Sequence, residues 1–201
     1  MKSIEINGTV RSIAARSSEK SRALKEIRKN SSVPCVIYGG KENIHFTVED
    51  AVLRSLVYTP DIYIVNLVID GQKLTAILKE IQFHPVSDKI LHVDFLEISA
   101  TKPIVMEVPV LLEGLPEGVK AGGKLALQMR KLKVRALYKN IPEKLILDVN
   151  DLGLGKTIKV SELSFEGLEL LNAKDNVVCS VKLTRAARGL AAADKEKAAT
   201  S

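Results

Sequence analysis

A mostly β fold is what this sequence predicts: short strands with one or two small helices in the first half, forming a mostly antiparallel barrel or sheet, followed by a second all-β domain. Three observations carry that expectation. Apolar and polar residues alternate over many short runs, the period of a half-buried strand. Asp70-Gly71 separates two such runs as a hairpin turn would. The pattern then restarts around Ser99 to Pro103, which divides the chain into residues 1–98, residues 99–184 and a polar tail over 185–201. The 201 residues suffice for one generous domain or two ordinary ones, and with 46% hydrophobic residues, 4% aromatics and no Trp the interior must be aliphatic.

The elements follow in order. Ile4, Ile6, Gly8 and Val10 alternate as a strand. Arg16 to Ser21 is polar and reads as a loop, followed by a short amphipathic helix through Leu24, Ile27 and Arg28 that Asn30-Ser31-Ser32 ends. Val33 to Tyr38 is a compact apolar strand closed by Gly39-Gly40, and Ile44-His45-Phe46 extends again. A small helix carrying Val52, Leu53 and Leu56 begins at Thr47 or Glu49. Ile62–Ile69 and Leu74–Leu78 form a hairpin about Asp70-Gly71, because these residues tolerate the positive φ of a tight turn. Ile81–Val86 and Ile90–Ile98 complete the first half. In the second half the strand candidates are Ile104–Leu112, Leu125–Leu137, Leu145–Val149, Ile158–Val160 and Val177–Leu183, punctuated by Gly and Pro. After Thr184 the composition turns to Arg, Ala, Lys and small polar residues, as in a flexible tail.

Charge is unevenly spread. Residues 1–41 hold nine basic and three acidic side chains, a net of +6, and residues 42–98 hold four basic and nine acidic, a net of −5. Residues 99–183, with 13 basic and 10 acidic, are nearly balanced. A local basic surface is therefore expected early in the chain, the distribution of a protein that meets phosphate on one face and water on the other.

Several function classes are excluded. The first twenty residues carry Lys2, Glu5, Arg11 and Arg16 and no long apolar run, against a secretory leader, and Ile62–Ile69 is too short to span a bilayer. Cys35 and Cys179 match no zinc spacing and read as buried free thiols in a reducing, cytoplasmic setting. Gly153-Leu154-Gly155-Lys156-Thr157 lacks the four-residue gap of a phosphate loop and reads as a turn entering a strand. His84, His92 and Asp94 have the composition of an acid–base or metal cluster. Yet His92 and Asp94 share one face of an extended segment, where such a pair locks orientation more often than it catalyses. No enzyme, cofactor or metal site is expected.

Ser32-Val33-Pro34-Cys35-Val36-Ile37-Tyr38-Gly39-Gly40, then Gln82-Phe83-His84-Pro85 and His92-Val93-Asp94-Phe95, resemble the bacterial ribosomal protein L25 family. Glu113-Gly114 and Gly118-Val119-Lys120-Ala121-Gly122-Gly123 resemble its longer form, of the TL5 or general stress protein CTC type, with an added C-terminal β domain. The resemblance spans residues 1 to about 184. It implies a small N-terminal β-barrel that binds 5S rRNA in the large ribosomal subunit, at a helical region with non-canonical pairs. The alternative is a non-ribosomal RNA-binding or stress-related β protein.

The resemblance also implies site residues. Arg11, Lys20, Ser21, Arg22 and Arg28 become phosphate or sugar contacts, and Tyr38, Gln82, His92 and Asp94 become base or sugar readers. The family's glycine-containing basic loop is replaced here by Ser17-Ser18-Glu19-Lys20-Ser21, and Glu26 intrudes among the basic helix positions. Lys20, Ser21 and Arg22 are therefore approximate placements, and Arg28 is a firmer one. Further partners expected are the large subunit as a whole, with 23S rRNA and neighbouring ribosomal proteins open as contacts of residues 99–183. No membrane is expected, and before assembly the protein is expected to be a monomer whose segment Arg16–Lys25 is ordered by RNA.

Overall fold

The computed structural model describes residues 2–11, 17–40 and 42–184. Two compact units are present. One comprises the described residues up to Ile104 together with Leu137–Glu143, and the other Val105–Ala136 with the described residues from Lys144 onward. The expected tail over 185–201 lies outside the described residues.

In the first unit the elements are β1 (Lys2–Val10), α1 (Ser17–Lys29), β2 (Ser32–Tyr38), β3 (Ile44–Glu49), α2 (Asp50–Val57), β4 (Tyr63–Ile69), β5 (Gln72–Phe83) and β6 (Ile90–Glu97). The strands close into a barrel in the order β1-β3-β2-β6-β5-β4. Pairing is antiparallel except between β1 and β4 and between β2 and β6. The expected mostly antiparallel β architecture is thus a closed barrel, and closure leaves no free sheet edge.

Alternation explains the interior. Ile6, Cys35, Ile37, Phe46, Val48, Val65, Leu67, Val93 and Phe95 are each no more than 3% exposed and fill the barrel with aliphatic side chains around one aromatic pair. The Phe46 and Phe95 ring centroids lie 5.8 Å apart at 35°. A Cβ on Gly8 would come 2.6 Å from Phe46 Cδ2, so the glycine makes room for that ring. The β4–β5 hairpin turns on Asp70 (φ 48°) and Gly71 (φ 83°), with Ile69 paired to Gln72. Two successive positive φ values match the twist of the flanking strands.

The segment expected as a loop over Arg16 to Ser21 is helical from Ser17, Arg16 itself being outside the described residues. Residues 17–29 contain no Gly or Pro and no β-branched residue before Ile27, and serine suits the first turn of a helix. The second helix begins at Asp50, with Glu49 just before it in extended conformation, so Thr47 stays in β3.

Strand β5 also departs from the expected pattern. The expected break between Leu78 and Ile81 is a β-bulge inside one continuous strand: Leu78 pairs with Phe95 and Glu80 with Asp94, leaving Lys79 as the extra residue. The bulge interrupts the alternation and so mimics a strand end.

The second unit contains β7 (Ile104–Glu113), α3 (Glu117–Lys120), β8 (Lys124–Leu127), β9 (Lys131–Ala136), β10 (Leu145–Asp148), β11 (Thr157–Lys159), β12 (Glu169–Leu170) and β13 (Val177–Lys182). They form one sheet in the order β10-β7-β9-β12 and another in the order β11-β13-β8. Val108, Leu132, Val134, Leu145, Cys179 and Val181 are buried within this unit. The single strand expected over Leu125–Leu137 is two strands. At Gln128 and Met129, whose amides both donate to the Val178 carbonyl, the chain passes from the three-stranded sheet to the four-stranded one. Strand β12 was not expected from the sequence, since two residues are too few to show alternation. Gly153–Thr157 is the turn expected, with β11 starting at Thr157.

Candidate nucleic-acid interface

The barrel's outer face across β1, β3, β2, β6 and β5 gathers most of the predicted site residues. Alternation that sends Phe46, Cys35, Val93 and Ile81 inward sends their neighbours outward. His45 is then registered with Val36, Val36 with Asp94, and Asp94 with Glu80. Arg11 extends this row from the end of β1, its amide donating to the His45 carbonyl at 2.9 Å. On the same face Thr9 pairs with Thr47, their hydroxyls 2.8 Å apart, and Gln82 pairs with His92. Tyr38 follows Val36 by two residues. The bulge at Lys79 is what aims Glu80 and Gln82 outward, because without the extra residue they would share the inward side of Leu78.

One end of this face is cationic. Arg28 on α1 reaches β6, its Nε and one terminal nitrogen donating to the Leu91 carbonyl at 3.3 and 3.1 Å. Burial lowers the pKa of Arg11, and the positive charge of Arg28 works in the same direction. Burial also lowers the pKa of His45, with Arg11 and His92 adding to it. The Nε of Arg11 and the Nδ1 of His45 are both buried without a hydrogen-bond partner among the described residues.

The other end is acidic. Glu80 and Asp94 stand opposite each other on β5 and β6, and the phenol of Tyr38 is pushed up by burial and then by these two carboxylates. Between the two ends His92 Nδ1 lies 2.7 Å from Asp94 Oδ1. His84 is not part of this group; its Nδ1 accepts from the Val86 and Ser87 amides at 3.3 and 3.2 Å.

The structure therefore brings Arg11, Arg28, Tyr38, Gln82, His92 and Asp94 to one face. Ser21 lies seven residues before Arg28, on the same side of α1, whereas Arg22 is turned roughly 120° away at about 100° per residue. Lys20 falls in the first turns of α1, and its side chain lies outside the described ones. His45, Thr9, Thr47 and Glu80, which the sequence did not single out, also lie on this face. The first three were accessible from strict alternation over Ile44–Glu49 and its pairing with β1, while Glu80 required the bulge.

Both cysteines are buried and free, as expected. Among the described residues no helix is long and apolar enough to cross a membrane.

Comparison with known proteins agrees with this architecture. Residues 8–95 match the model of the Ribosomal L25p family, and residues 103–185 match that of the ribosomal protein TL5 C-terminal domain. The chain is 74% identical to the large ribosomal subunit protein bL25 of Bacteroides fragilis, over 96% of this chain and 98% of the relative. It is 72% identical to the protein of that name from Bacteroides thetaiotaomicron, again over 96% and 98%, and 64% identical to that of Phocaeicola vulgatus over the same shares. With identity this high along nearly the whole of both chains, this protein belongs to the ribosomal L25p family, in the long form that carries a TL5 C-terminal domain.

Proposed function

We propose that the protein is a non-catalytic structural constituent of the large ribosomal subunit, cytoplasmic, and that its barrel binds 5S rRNA through the outer face of β1, β3, β2, β6 and β5. The observation that supports this most directly is the polarity of that face, with Arg11 and Arg28 toward one end and Asp94 and Glu80 toward the other. A cationic end suits phosphate, and carboxylates suit the amino groups of bases. Regular A-form RNA hides its base edges in a deep, narrow groove, so a rigid face of this kind fits a helix whose non-canonical pairs display them. In this reading Arg11, Lys20, Ser21, Arg22 and Arg28 hold phosphate or sugar, and Tyr38, Gln82, His92 and Asp94 read bases or sugars.

Residues 99–184 make secondary contacts on the subunit, and the free protein is a monomer. The test is binding of the full chain to 5S rRNA and to transfer RNA over a salt series, together with sedimentation of native lysate. Tight, salt-dependent preference for 5S rRNA and sedimentation with the large subunit are expected. Equal affinity for both RNAs, or persistence in the soluble top fraction, would overturn the reading. A chain ended near Ser99 is expected to keep most of the affinity.

A further inference from the structure

His45 is one of the residues on this face that neither the motifs nor the resemblance singles out. It sits in β3 between the end of β1 and β2, half-buried, and the strand holds it firmly: Phe46 beside it is fully buried, and its own carbonyl accepts the Arg11 amide. Among the described residues its buried Nδ1 has no hydrogen-bond partner, and neither has the buried Nε of the adjacent Arg11. Two buried nitrogens left unsatisfied side by side are costly, and because both residues are only half-buried, it is the rest of the guanidinium and of the imidazole that an incoming group can reach.

The charges around His45 say what kind of group completes it. From the end of β1 comes Arg11, which stays protonated at any ordinary pH. From β6 comes His92, itself held by Asp94, and from α1 comes Arg28, whose charge bears on Arg11. From β2 the ionisable neighbours are Tyr38, on the outer side, and Cys35, on the core side of the sheet. On β3 itself Glu49 lies at the far end of the strand. Burial first, and then the positive charge of Arg11 and His92, lower the pKa of the imidazole in the free protein and so favour its neutral form.

We propose that Arg11 and His45 together form a phosphate-binding subsite of the RNA interface, in which a bound phosphodiester anion draws a proton onto His45, so that RNA binding is accompanied by proton uptake. This rests on the RNA-binding reading above and adds a residue and a linkage to it. An anion within a few ångströms offsets the field of Arg11 and favours the imidazolium, which then donates to a phosphate oxygen. The sign follows: the complex holds a proton that the free protein lacks, so affinity rises as pH falls through the imidazole range. A rise of about one pKa unit on binding corresponds to about tenfold tighter binding at the acidic limit.

The experiment is calorimetric titration of the full-length protein with 5S rRNA at pH 6.5 in two buffers of different ionisation enthalpy, for the wild type, His45→Gln and His92→Gln. Salt series at pH 6 and pH 8 accompany it. The wild type and His92→Gln are expected to take up protons, and His45→Gln to take up markedly fewer. The salt slope of the wild type should be steeper at pH 6 than at pH 8 by up to about one unit, a difference absent in His45→Gln. Proton uptake equal in wild type and His45→Gln, uptake lost only in His92→Gln, or a salt slope independent of pH would each overturn the subsite while leaving 5S rRNA binding intact. Failure of the wild type to bind 5S rRNA would overturn the functional reading itself, and the subsite with it.

Discussion

His92 Nδ1 lies 2.7 Å from Asp94 Oδ1, two residues along one outward row of β6. The contact keeps the carboxylate beside the imidazole, as an ion pair whenever the ring is protonated. Each side chain thus stands in the immediate field of the other.

Asp94→Asn keeps the size of the side chain and an oxygen beside His92 but removes the charge. It should leave the melting temperature nearly unchanged. It should reduce discrimination between 5S rRNA and RNA with an altered internal loop by about tenfold, the worth of one charge-assisted hydrogen bond. Unchanged affinity for both RNAs would make Asp94 part of the scaffold.

Arg28 has two tasks in this structure, since its donation to the Leu91 carbonyl ties α1 to β6 while its charge lies at the cationic end of the face. Arg28→Glu should weaken 5S rRNA binding about tenfold or more at near-physiological salt and flatten the salt slope by about one unit. Arg28→Lys keeps the charge without the two-pronged donation and should fall between it and the wild type. If Arg28→Glu bound as the wild type does, the residue would only position the helix.

Gly8 faces Phe46, and an added Cβ would stand 2.6 Å from its ring. Phe46 is fully buried and packed on Phe95, so the ring has little room to yield. Gly8→Ala should destabilise the barrel by about 1–3 kcal/mol and lower its melting temperature by several degrees. An unshifted thermal transition would show that the core relaxes around the methyl group.

Burial pushes the Cys35 thiol up to about 12, from an ordinary value near 9. The unfolded chain gives up this proton at a lower pH than the folded one. The contribution is therefore fully present below about pH 9 and is lost as pH rises towards 12, by at most about 1.4 kcal/mol per pH unit. Denaturant unfolding at pH 8, 9 and 10 should show a shallower decline for Cys35→Ala than for the wild type. Equal slopes would mean that the thiol ionises alike in both states.

Much of the fold was legible because local chemistry dictates it. Ile4 to Val10, Val33 to Tyr38 and Ile62 to Ile69 carry their inward side chains at every second position, and Asp70-Gly71 accepts the backbone angles of the turn between β4 and β5. The same alternation marked His92 and Asp94 as same-face neighbours, and the charge count marked the first 41 residues as the basic part. All of this depends on residues within a few positions of each other.

What the tertiary structure alone decided is which strands lie side by side. Nothing local in β1 shows that it pairs in parallel with β4, or that β2 pairs in parallel with β6, because parallel partners come from distant segments joined by long connections. Those pairings bring Asp94 beside Val36 and, through β3, carry the row on to His45 and Arg11. The bulge at Lys79 is of the same kind: the sequence shows only a lost alternation, and it is the pairing with β6 that turns the loss into an extra residue and points Gln82 to the face of His92. By itself the sequence determined most of the elements, their inward residues and the family motifs. Closure of the barrel decided which outward residues meet, because side-chain direction is a property of each strand and neighbourhood is a property of the sheet.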